Sequence, residues 1–117
     1  MTVSDGQAIR PWQLVSSAAG RDAGQVYLVL RTAGDGFVEL VNGDRRRVEA
    51  PKRKNARHLI AHEHVAVELA ERVRDGGVVK NSEVRSALEQ LAVAAGLRDR
   101  QAGSGESAAA GETQIGR

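Results

Sequence analysis

Seven cationic side chains fall within residues 45–58: Arg45, Arg46, Arg47, Lys52, Arg53, Lys54 and Arg57, with Glu49 the only acid among them. Cations so crowded repel one another through many small terms. A fold gains nothing from that repulsion, whereas a polyanion relieves it. Phosphates neutralised by Lys and Arg release condensed counterions, which supplies affinity without reading sequence. The whole chain of 117 residues carries a formal charge of only +2. The remainder is therefore acidic on balance, and the asymmetry is more informative than the net charge. A solvated charged face accounts for most charge runs, but seven cations against one anion favour a nucleic acid. The run lacks the interleaved bulky apolar side chains that a membrane-surface segment inserts.

Other chemistry has less to draw on. There are no cysteines, which removes disulfides, thiolate metal sites and a cysteine nucleophile. The histidines are His58, His62 and His64. A zinc helix wants two imidazoles four residues apart. In a helix, His62-Glu63-His64 would point its two rings to different faces. No phosphate-binding P-loop is present, and no serine sits in a nucleophile elbow, although composition alone leaves a Ser-His-Asp triad open. The expectation is a non-enzyme with no metal and no cofactor. Gly20-Arg21-Asp22-Ala23-Gly24 reads as a tight loop, with Gly20 and Gly24 free to adopt positive φ. Arg21 would stand at its tip, and Asp22 would fix the turn through nearby backbone N–H groups. The aromatic residues are Trp12, Tyr27 and Phe37 alone, too few for a base-stacking platform.

The elements that must hold these residues read as β first and helix second. Gln25–Leu30 and Phe37–Val41 have strand composition, and Asp35-Gly36 between them is a hairpin pair. Asn42-Gly43-Asp44 is a second turn signal. Trp12–Val15, Arg46–Glu49 and Ala56–Ile60 complete five short strands, with Pro51–Asn55 a solvent-facing loop between the fourth and fifth. Five strands joined by tight turns predict a small barrel. Its core would be Leu14, Val26, Leu28, Leu30, Val38, Leu40, Val48 and Leu59. Strand 25–30 is apolar on both faces, so its second face needs a cover. From His62 the period becomes helical. Val65, Ala66, Leu69, Ala70 and Val73 form one stripe; Val84, Leu88, Leu91, Ala92 and Ala95 form another, with Asn81 as N-cap. The expected organisation is an N-terminal arm (1–11), a barrel (12–61), a helical hairpin (62–96) and a disordered tail (97–117). No apolar run approaches the ~18 residues that span a membrane, and the N-terminus has no signal-peptide pattern. A cytoplasmic protein is expected.

Leu14-Val15-Ser-Ser-Ala-Ala-Gly20-Arg-Asp-Ala-Gly24-Gln-Val-Tyr-Leu-Val29 resembles the KOW motif, a strand, a glycine-bearing loop and a second strand. Gly20 matches its central glycine, and Arg21-Asp22 the flanking polar pair, while Ala18 stands where a basic residue is common. Asn42–Leu59, Glu68–Arg72 and Asn81–Leu88 are similar to small bacterial KOW-domain RNA-binding proteins related to archaeal and eukaryotic large-subunit ribosomal proteins. The resemblance covers about residues 12–92. It implies an SH3-like five-stranded barrel and RNA binding without catalysis, with ribosomal RNA the foremost partner and ribosomal proteins further ones. The RNA-binding set would be Arg21, Arg45, Arg46, Arg47, Lys52, Arg53, Lys54 and Arg57, with Gly20, Asp22 and Gly24 shaping the loop. The alternative is a module that docks a ribosomal or transcription-machinery protein through the barrel or the helices.

Overall fold

The computed structural model describes residues 9–98. Most of the N-terminal arm and nearly all of the expected tail lie outside that range. The strands are β1 (Gln13–Ser17), β2 (Val26–Thr32), β3 (Phe37–Val41), β4 (Lys52–Asn55) and β5 (Leu59–Val65), followed by helices α1 (Val67–Arg74) and α2 (Asn81–Ala94). The strands form one antiparallel sheet in the order β4-β3-β2-β1-β5. β4 and β5 are its edges. The protein is mainly β, and among the described residues no helix is long and apolar enough to cross a membrane.

The apolar alternation of β1 to β3 builds two cores, one on each face. Leu14 pairs with Leu28, and Leu28 with Val41, on one face; Val15 pairs with Tyr27, and Val29 with Leu40, on the other. The first face is the one covered by the helices. Trp12, Leu14, Val26, Leu28 and Val41 pack there with Leu69 of α1 and Val84, Leu88 and Ala92 of α2. The second cluster is Val15, Tyr27, Val29, Val38 and Leu40, flanked by Ile9, Ala56 and Leu59, and contains no residue of either α-helix. The doubly apolar β2 thus reports two buried faces. Of the expected core, Leu30, Val48 and Leu59 are only half-buried, because each sits at the rim of its cluster.

Four expectations about the strands are corrected, and a fifth concerns the start of α2, whose N-cap is Lys80 with Asn81 its first residue. Residues 46–49 are not the fourth strand; residues 47–50 form a tight turn closed by an Arg47–Ala50 bridge. The fourth strand is Lys52–Asn55, expected to be a loop, and it pairs with β3 along its length. Pro51 stands immediately before it, where a missing N–H costs no ladder bond. His62–Val65 is not helix but the end of β5, which pairs with β1 from Leu59 to Val65. His62 and His64 therefore lie on a strand, at a bulge in its pairing with β1, not on different faces of a helix. Residues 56–58 form a 3-10 turn rather than a strand.

Trp12 holds the sheet to the helical layer. Its φ is +67°, a left-handed conformation that is uncommon for a bulky residue. Its N–H donates to Val29 O, and its carbonyl accepts from Ala66 N at 2.8 Å, at the entry to α1. Those two bonds and its near-complete burial hold it there.

Candidate nucleic-acid interface

The turn between β1 and β2 and the segment between β3 and β4 meet at one end of the sheet. Gly20 and Gly24 have φ of +89° and +90°, and Arg21 lies exposed between them. Across from this turn, Asn42 folds the other segment. Its Oδ1 accepts from the N–H groups of Asp44 and Arg46 at 3.0 and 2.9 Å, and Arg46 O accepts from Asn42 N and Gly43 N. Arg45 and Arg46 are thereby presented as exposed side chains on a fixed turn.

Between the two turns runs a groove of about 910 Å³ lined by Gly20, Arg21, Asp22, Gln25, Tyr27, Asn42, Arg45, Arg46, Lys52 and Lys54. Five of these are cations and Asp22 is the one acid. Among the described residues, Arg21, Arg45 and Arg46 take part in no ion pair. A smaller cleft of about 320 Å³ between the helices holds Arg72 and Glu83, which pair with each other at 2.5 Å. It offers no such excess of positive charge.

The floor of the groove is a charge network. Lys54 Nζ donates to Asp22 Oδ1 (2.7 Å), Ser17 Oγ (2.8 Å) and Ala19 O (3.1 Å), which uses all three of its protons. Tyr27 donates its hydroxyl to Asp22 Oδ2 at 2.8 Å, Ser17 Oγ lies 2.9 Å from Asp22 Oδ1, and Lys52 Nζ lies 3.4 Å from Asp22 Oδ2. Burial alone would raise the Asp22 carboxyl. The hydrogen bonds from Lys54, Tyr27 and Ser17, with the Lys54 charge, outweigh that and hold it well below the usual carboxylate range. Burial, reinforced by Asp22, pushes the Tyr27 hydroxyl up to about 12.

The eight expected contact residues therefore divide. Arg21, Arg45, Arg46 and Lys52 come together on the groove, with Lys52 partly engaged by Asp22. Lys54 also lines it, but its side chain is only 11% exposed and fully partnered, so it belongs to the scaffold. Arg53 points away: its guanidinium meets Asp35 at 2.7 Å and lies 4.4 Å over the Phe37 ring. Arg47 pairs with Glu49 at 3.3 Å, and Arg57 is exposed on the 3-10 turn. Neither lines the groove. Asp22 does fix its loop, but through side-chain donors rather than backbone N–H groups. Ser17, Gln25 and Tyr27 were not foreseen as parts of this site, whereas Asn42 belongs to the 42–44 turn expected beside it. The available signal was the alternation Lys52-Arg53-Lys54, which in a strand sends both lysines to one face.

The histidines stand apart from the groove. His62 is half-buried with Nε2 3.0 Å from Ser16 Oγ, and burial, with His64 nearby, holds its pKa below 6.5. Among the described residues no group of three or more His, Asp or Glu side chains converges as a metal site would require.

No family model and no curated protein matches the chain.

Proposed function

We propose that this protein is a non-catalytic RNA-binding module that holds the phosphates of a structured RNA in the groove between residues 20–24 and 42–46. One observation carries the reading: Arg21, Arg45 and Arg46, distant in sequence and unpaired among the described residues, converge on one groove whose only acid is neutralised from within. Opposite charges would be expected there if the cations served the fold. A phosphate-lined strand is the ligand that such a surface attracts, by contacts that position rather than specify.

The KOW resemblance supports RNA, and ribosomal RNA in particular, over other polyanions. It also supports reading the sheet as an SH3-like barrel. Val15, Val29 and Leu40 are fully buried on a face that carries no helix. A sheet buries such a face by curling upon itself. Register shifts between Gln13 and Val15 and between Val29 and Arg31 supply local bends.

The test is a binding titration of an RNA hairpin at several salt concentrations with the native chain and with Arg45→Gln/Arg46→Gln. If duplex RNA behaves like duplex DNA, the log–log slope should flatten by about 1.8, or ~0.9 per lost phosphate contact. A matched DNA hairpin should bind more weakly. Unchanged affinity and slope in the variant would refute the reading, and would favour docking of a protein on the exposed Val67, Val73 and Val78 of the helical region.

A further inference from the structure

The helical hairpin meets the 42–49 segment through the first two turns of α2. Asn81 Oδ1 accepts from Val48 N at 2.9 Å, and Asn81 Nδ2 donates to Glu49 Oε1 at 3.0 Å. One turn further along the helix, Arg85 Nη1 donates to Gly43 O at 2.6 Å. These bonds grip the 42–49 segment on both sides of Arg45 and Arg46. The approach is too close for any side chain at position 43. A Cβ on Gly43 would collide with Asn81 O and stand 2.9 Å from Arg85 N, and its φ is +78°. The helix itself is fixed to the sheet by fully or nearly fully buried Val84, Leu88 and Ala92.

We propose that α2 is a buttress for the phosphate-binding turn, with Asn81, Arg85 and Gly43 as positioning residues that hold Arg45 and Arg46 over the groove. The proposal rests on the RNA-binding reading above and goes further, in that it assigns the helical region a part in binding. Affinity gained from a charged side chain is reduced by the entropy lost in ordering it and its loop. A turn already ordered by the helix avoids that loss on binding. Removing the Asn81 contacts leaves every charge in place but returns mobility to the turn.

Asn81→Ala is the informative variant because it alters no charge. Affinity for the RNA hairpin should fall about tenfold, the scale expected when two long side chains must be ordered on binding. In an Arg45→Gln/Arg46→Gln background the same substitution should cost little, since there is nothing left to position. Amide hydrogen exchange of the free protein supplies a readout without RNA. Gly43 and Arg46 N–H groups, bonded only within the turn, should exchange faster in Asn81→Ala, while those of β1 and β2 stay protected. Unchanged exchange at Gly43 and Arg46 would overturn the buttress whatever the RNA result. Faster exchange with an equal loss of affinity in both backgrounds would overturn the link to Arg45 and Arg46. If the native chain itself fails to bind the hairpin, the RNA-binding reading falls and the positioning role falls with it, a result told apart from the others by the native titration alone.

Discussion

Asp22 is the residue on which the groove is built. Its carboxylate gathers Lys54, Tyr27, Ser17 and Lys52 from three strands and keeps two lysines from repelling each other. Replacing it by Asn keeps the shape and removes the charge. Lys54, 11% exposed, would then be a nearly buried cation without its counter-ion. A loss of about 2 kcal/mol at neutral pH is expected, between an ordinary charged hydrogen bond and a fully buried ion pair. The pH dependence has a definite sign. Asp22 titrates lower in the folded chain than its ordinary 3.8. The folded state therefore gains stability from the ionised carboxyl above that value and loses it as the pH falls through the depressed folded pKa. Urea titrations across the acid range should show the native protein converging on Asp22→Asn. Parallel curves down to strong acid would mean the network does not hold the loop. The role was only half legible in the sequence. The turn itself is local and can be read from Gly20–Gly24, but the Asp22 carboxylate bonds no backbone N–H in it, and Lys54 lies 32 positions away, so only the folded sheet brings it to Asp22.

At the scale of elements, the sequence signals for β1, β2, β3 and α2 are sound because β3 and α2 carry an apolar period and β1 and β2 are short apolar runs next to glycine turns. β4 was not legible, since Lys52-Arg53-Lys54-Asn55 contains no apolar residue and follows a proline. What makes it a strand is main-chain pairing to Phe37–Leu40 and the seats waiting for its lysines. The end of β5 is equally hard to read. Its His62-Glu63-His64 has no large apolar residue to reveal period two, and Val65 and Ala66 also fit the apolar stripe of α1. The β4 correction has a consequence for mutagenesis. Replacing Lys52, Arg53 and Lys54 together would confuse binding with folding. Lys54→Gln alone should lower thermal stability, because it removes three hydrogen bonds from a covered site. Arg53→Gln, at an exposed pair with Asp35, should change stability within about 1 kcal/mol. Thermal melting of the two single variants checks the contrast. Equal effects would mean that the strand's two faces are not energetically distinct.

The whole chain carries a formal charge of only +2, yet the groove at one end of the sheet brings together five cations and one acid. Which nucleic acid such a surface prefers follows from what lines it. Single-strand binders gain roughly 1–3 kcal/mol from each base stacked on an aromatic ring. Here Trp12 and Tyr27 are almost wholly buried, and the Tyr27 hydroxyl is committed to Asp22. Phe37 is half-buried, already covered by Arg53, and does not line the groove. Among the described residues the groove therefore has cations, Asp22 and the polar side chains of Gln25 and Asn42, but no exposed aromatic ring. A duplex offers phosphates at high and regular density, about one charge per 1.7 Å of axis in DNA, and needs no unstacking to present them. An RNA hairpin should accordingly bind at least about tenfold more tightly than an unstructured strand of equal length, as expected where phosphates supply the affinity and stacking supplies none. Exchanging base pairs within the stem should alter affinity little, because backbone contacts carry no sequence information. Arg21→Gln should weaken all stems alike and lower the salt slope by about 0.9. Competition titrations with hairpins of permuted stems and an unstructured control decide the matter. Tighter binding of the unstructured strand, abolished by Phe37→Ala, would show that bases stack on a ring after all and that the groove is not where the affinity arises.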